Sequence, residues 1–217
     1  MNELNEHQSY SKINPFTAIW LKTRETIRYV IEEKTIGYVI MLILLSGISS
    51  AFLGTFQSGE GFGMPTWAII VGAVIISPFA VLIGVSIMSA IYLVVGKLFK
   101  GTATYTEMFK AVGTAMIPQI WLLPVVLIWI IVSPDTFFSQ SGAGGFSGVL
   151  LTIVFSIILA IVSVWSIVIQ SKAIGEAHRI SSWKGFFTLL IPSVIIGIIV
   201  FAIVIFFVIL IIGAASY

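Results

Sequence analysis

Five stretches of this chain, 36–54, 66–99, 108–132, 147–171 and 186–213, carry only two charged side chains between them, Lys97 and Lys110, each near a stretch end. About 20 apolar residues in helical form cross the hydrocarbon of a bilayer. No single soluble core of a 217-residue chain hides so many Ile, Val, Leu and Phe side chains from water. Composition agrees: charged residues make up 9% of the chain, against about a quarter in soluble domains. The expected fold is all-α, an integral membrane bundle of five transmembrane helices.

The placement of the basic residues fixes how the stretches cross. Lys12, Lys22, Arg24, Arg28 and Lys34 precede the first stretch, and Lys97, Lys100 and Lys110 lie about the junction of the second and third. Lys172, Arg179 and Lys184 lie between the fourth and fifth, which completes the 11. Segments 55–65 and 133–146 contain Glu60 and Asp135 but no Lys or Arg. If each stretch crosses once, every basic residue falls on one face, as the positive-inside rule requires. The second stretch is about 50 Å long as a helix, and splitting it into a hairpin would break that pattern. It is therefore expected to cross once, tilted or bent near Ser77-Pro78. The reading is a cytosolic segment, 1–35, and a membrane domain, 36–217, with the N-terminus inside the cell and the C-terminus outside.

Residues 1–11 are polar and contain no apolar run, so they read as a disordered tail and not as a signal peptide. Asn14-Pro15 is a helix start. From there Phe16, Ile19, Trp20, Thr23, Ile27, Val30 and Ile31 fall within an arc of about 120° on one helix. Lys22, Arg24, Glu25, Arg28, Glu32 and Glu33 take the remainder. Such a helix suits a membrane interface, and it equally suits packing on the protein's own cytosolic surface. Trp20, Arg24 and Arg28 are its candidate contacts with membrane or partner.

The middle of every stretch lacks ionisable residues, which argues against proton-coupled or ion-driven transport. The only histidines are His7 and His178, in the tail and in a connecting loop, so no intramembrane Ser–His dyad forms. His178, beside Arg179, reads as a solvated loop residue. There is no HExxH, no paired carboxylate within a span, and no cysteine for a disulfide or thiolate site. No enzyme activity, cofactor or metal is expected, and a net charge of +2 makes nucleic acid a poor partner. The glycine-rich 141–145 resembles a phosphate loop in composition only, since no strand precedes it.

Helix-packing chemistry is plentiful. Small residues four apart, such as Gly47/Ala51, Ala80/Gly84 and Ser193/Gly197, let helix backbones approach closely. Internal packing of the bundle accounts for most of these, and association with another membrane protein for the rest, with Gly84 and Gly197 as candidates. Pro78, Pro118, Pro124 and Pro192 interrupt spans, either to fit the bundle together or to shape a cavity, and Pro118 is a further candidate contact. Trp67, Trp129 and Trp183 lie near stretch ends and read as interfacial anchors.

Three segments resemble bacterial members of the Yip family, the Ypt-interacting-protein type of membrane protein. They are the entry segment 14–28, beginning Asn14-Pro15-Phe16-Thr17-Ala18-Ile19-Trp20; the turn 101–110 leading to Ala115-Met116-Ile117-Pro118; and the joining segment with Val164-Trp165-Ser166-Ile167, Gly175-Glu176-Ala177-His178 and Ser181-Ser182-Trp183-Lys184. The resemblance implies a non-enzymatic helper protein of the plasma membrane. In its YknW-like branch it implies an accessory subunit associated with ABC-type exporters and toxin resistance. The partners so implied are the lipid bilayer and other integral membrane proteins. The acidic Asp-Leu-Tyr-Gly-Pro motif of eukaryotic members is absent, which counts against their small-GTPase partnership. The rival reading is a passive channel or permease for a small solute.

Overall fold

Asn14 starts the first helix as its neighbours suggest. Its side-chain oxygen accepts the Phe16 N–H at 3.1 Å, and Pro15 takes the first position of α1 (Pro15–Ala18). The structure is a computed structural model and describes residues 13–58, 65–132, 137 and 145–215. The single amphipathic helix expected from Phe16 onward is two pieces. Lys22, at φ −110° and ψ 46°, is not helical, and α2 (Thr23–Glu33) begins after it. The apolar arc faces the protein itself: Ile19, Ile27 and Val30 are fully buried. Between the two expected locations, the segment's own bundle takes this face.

The membrane part follows as α3 (Ile36–Ser58), α4 (Thr66–Val71), α5 (Ser77–Leu98), α6 (Tyr105–Thr114), α7 (Ile117–Val132), α8 (Gly145–Ala177) and α9 (Ser182–Ala215). Regular structure among the described residues is entirely helical. Five segments are long and apolar enough to cross a membrane: Ile36–Gly54, Val74–Leu98, Tyr105–Val132, Phe146–Ala177 and Ser182–Ile209. The tail 1–11 lies outside the described residues, as do all or part of the turn motifs at 57–61, 133–135 and 141–145. α8 and α9, at 33 and 34 residues, are each about 50 Å long. They exceed a hydrocarbon core of about 30 Å, so they project beyond it.

At Ser77-Pro78, where a tilt or a bend is expected, a π-helical turn, Gly72–Ile76, joins α4 to α5. Proline has no N–H to give the preceding turn; the wider turn absorbs the mismatch, and the Ser77 hydroxyl donates to the Gly72 carbonyl at 3.2 Å. Pro78 then rests on α3. A Cβ on Gly47 would lie 2.6 Å from the Pro78 Cα, so glycine here is what lets the two helices touch.

α3 packs against α5, α6 and α7, while α8 and α9 form a hairpin that leans on α2, α5 and α6. Two apolar cores result. One, where α2, α3, α5, α6 and α8 meet, contains Ile27, Val39, Ile43, Met108, Val112 and Ile174. The other, toward the opposite ends of α3, α7 and α8, is built on Trp129, with the rings of Phe155 and Phe137 edge-on at 4.2 and 5.8 Å. Trp129 is therefore a core residue and not the interfacial anchor its position suggests. Trp67 and Trp183 are exposed, as anchors are.

Candidate functional site

Charged groups of α2, α6, α8 and the α8–α9 turn gather at one end of the bundle. Arg24 and Arg28 lie one turn apart on α2 and share the Glu176 carboxylate near the end of α8. Arg24 Nη1 donates to Oε2 at 3.0 Å, and Arg28 reaches Oε1 at 2.7–2.8 Å. Glu176 is nearly enclosed, with 9% of its side chain exposed, while the two guanidinium groups reach solvent. Arg24 also donates to the Ile180 carbonyl at 2.8 Å and to the Ser182 hydroxyl, which ties α2 to the turn between α8 and α9. Arg179, in that turn, pairs with Glu107 at 2.7 Å. The Lys110 ammonium donates to the Ile31 carbonyl at 2.8 Å, closing the ring of contacts from α6 back to α2. A cleft of about 230 Å³ lies among Arg28, Glu32, Glu107, Glu176 and Arg179.

Local sequence sets these groups in place. Thr104 caps α6 in a reciprocal box: its hydroxyl accepts the Glu107 N–H, and the Glu107 carboxylate accepts the Thr104 N–H at 2.7 Å. The Thr104-x-x-Glu107 spacing is the signal in the sequence that announces this. Lys100 and Arg179 both stand at positive φ, 62° and 57°, where non-glycine residues are uncommon. In each case the following amide closes the helix end, Gly101 N–H to Gly96 O at 3.0 Å and Ile180 N–H to Gly175 O at 2.8 Å.

Glycine appears instead at Gly101, and His178 explains why. The imidazole is fully buried against the backbone of Gly96 and Gly101, and a Cβ on either glycine would overlap the ring. The Ala103 N–H donates to Nδ1 at 3.3 Å, so the proton sits on Nε2, which donates to the Tyr92 carbonyl at 3.1 Å. Burial pushes the His178 pKa below its ordinary value; nearby Lys97 pushes the same way, while the Tyr92 carbonyl and Glu107 oppose it. The ring is a neutral cross-brace between the α8 end and the α5–α6 connection. The expected solvated loop residue is thus corrected: it sits where Gly96 and Gly101 leave room for its ring.

The break between α1 and α2 is sealed by two indoles. Trp121 of α7 donates to the Phe16 carbonyl at 3.0 Å, and Trp165 of α8 donates to the Trp20 carbonyl at 3.1 Å. Irregular backbone near membrane depth persists only where such groups find partners. Neither indole is marked as a brace by its neighbours along the chain, although Trp165 lies in a segment that carries the family resemblance.

Of the expected contact residues, the structure brings Trp20, Arg24 and Arg28 together at this end, with the arginines already engaged by Glu176. Pro118 is buried in the first turn of α7. Gly84 and Gly197 meet nothing within 4 Å of a built Cβ, so neither serves close packing inside the chain. Gly84 lies at an apolar groove of about 460 Å³ between α5, α6 and α8, and Gly197 faces outward from α9.

The model of the Yip1 domain matches residues 17–205, from within α1 to within α9. The chain belongs to the Yip1 domain family. The matched span takes in every element of the charged end, so the family's domain includes the N-terminal segment as well as the membrane helices. No curated protein and no solved structure gives a significant match.

Proposed function

We propose that this Yip1-domain protein is a non-enzymatic accessory protein of the membrane, which works by binding other integral membrane proteins. The observation that carries this reading is the contrast between α3 and α9. About 44% of the first span's apolar window is buried inside the protein, but only 6% of the last one's. Most of α9 is free to meet lipid or a second membrane protein, and Gly197 offers a place for close approach. The charged end supports the same reading, because its arginines and carboxylates are spent on holding helices together.

The finer part of the proposal is that the partner is an ABC-type exporter concerned with toxin or peptide resistance, in a bacterial plasma membrane. It rests on the resemblance of the entry, turn and joining segments. The orientation follows the basic residues: N-terminus and charged end in the cytosol, C-terminus outside. Reporters active only outside the cytosol should be silent after Lys100 and Arg179 and active after Tyr217; activity at Lys100 would overturn the orientation. For function, the protein is recovered from its own cells in gentle detergent and reconstituted alone in liposomes. A stable membrane-protein partner, without solute flux by the chain alone, is the expected result. Saturable flux with no partner recovered would replace the accessory reading with a passive permease.

A further inference from the structure

A second groove, of about 410 Å³, opens between the end of α8 and the start of α9. That volume falls within the range of about 300–1,000 Å³ usual for ligand clefts. Its floor is apolar, from Ile167, Val168 and Phe186, and its rim carries Lys172 and Trp183. No acidic residue lines it. Lys172 is half-buried, and it stands five residues before Ala177, about 8 Å along the helix from the end of its span. The arginines of the charged end have found carboxylates: Arg24 and Arg28 hold Glu176, and Arg179 holds Glu107. Among the described residues, Lys172 enters no ion pair. Trp183 is 74% exposed and stands edge-on to Phe186 at 6.2 Å, the posture of an indole at a headgroup layer.

A cation with no partner above an apolar slot, at the depth where a lysine stem reaches upward to the interface, has one fitting occupant. We propose that this groove binds an anionic phospholipid, its phosphate against Lys172 and one acyl chain along Ile167 and Phe186. The site is separate from the charged cleft and does not depend on which protein the chain assists. A lysine ammonium at such a surface strengthens binding of an anionic headgroup about five-fold. The apolar slot adds a preference for lipid over free phosphate.

The test uses the full chain in nanodiscs. In discs of phosphatidylcholine with 30% phosphatidylglycerol (a composition of about this order suffices), acylation of Lys172 by an amine reagent should slow about five-fold relative to discs of phosphatidylcholine alone. Exposed Lys97 serves as the internal reference. Native mass spectrometry should show phosphatidylglycerol retained by the wild type and by Lys97→Gln, and reduced about five-fold in Lys172→Gln of unchanged helix content. Inorganic phosphate in millimolar amounts should not displace it. Equal protection of Lys97, equal retention of phosphatidylcholine, displacement by inorganic phosphate, or a second copy of the chain seated on the groove would each overturn the proposal.

Discussion

Replacing Glu176 with Gln removes one charge from the centre of the α2 clamp and almost nothing else. The glutamine fills the same space, and its carbonyl still accepts from one guanidinium. Breaking a fully buried ion pair costs about 3–5 kcal/mol, and a surface pair is worth about 0–1 kcal/mol. Glu176 is nearly enclosed, but the Arg24 and Arg28 side chains are 38% and 50% exposed, so water screens the loss. The expected cost is about 1–2 kcal/mol, a factor of about 5–30 in the population of opened α2. Apolar burial sets the other side of the comparison. Ile19, Ile27 and Val30 are fully buried, and together they hold the segment with roughly 5–9 kcal/mol at the upper limit. Glu176→Gln should therefore loosen α2 without releasing it, whereas Ile19→Ser with Ile27→Ser should release it. Amide exchange across Thr23–Glu33, followed by mass spectrometry on the purified protein at low salt, reads the difference directly. Exchange there should quicken about 5–30-fold in Glu176→Gln, and less at high salt. If exchange changes by less than two-fold, the ion pairs are ornaments on an apolar joint and the reasoning fails.

The His178 brace predicts a pH dependence. Unfolded histidine titrates near 6.5, while the folded His178 pKa is lower; its contribution is complete above about 6.5 and is lost as pH falls from there toward the lowered value. The melting temperature in detergent should drop between pH 7.5 and 5, and less so in His178→Gln; an identical drop in both would refute the brace. Among the glycines, Gly101→Ala should destabilise by about 1–3 kcal/mol through overlap with His178, while Gly84→Ala and Gly197→Ala should fold as wild type; thermal melts of the purified proteins separate the two groups. Trp129→Ala should cost about 3–5 kcal/mol because it empties the second core, whereas exposed Trp183→Ala should change the same melts little.

What the sequence determined by itself is whatever depends on neighbours along the chain. Hydropathy over some twenty residues is local, so the five spans are legible. Asn14-Pro15 and Thr104-x-x-Glu107 cap their helices through groups two or three residues away, and Pro78 has no N–H to give the turn before it. The grouping of the basic residues is likewise a property of order along the chain. Contacts between residues far apart along the chain emerge only on folding. Glu176 meets Arg24 and Arg28 across separations of 152 and 148 residues, and nothing near either arginine announces it. His178 reads as a polar loop residue until Gly96 and Gly101 are brought against it. The burial of Trp129 and the openness of Gly84 and Gly197 were equally hidden, for a reason particular to membranes. Lipid and protein interior are both apolar, so hydropathy marks a helix as membrane-spanning without saying which face is covered. Here the last span, the most apolar of the five, is also the least buried.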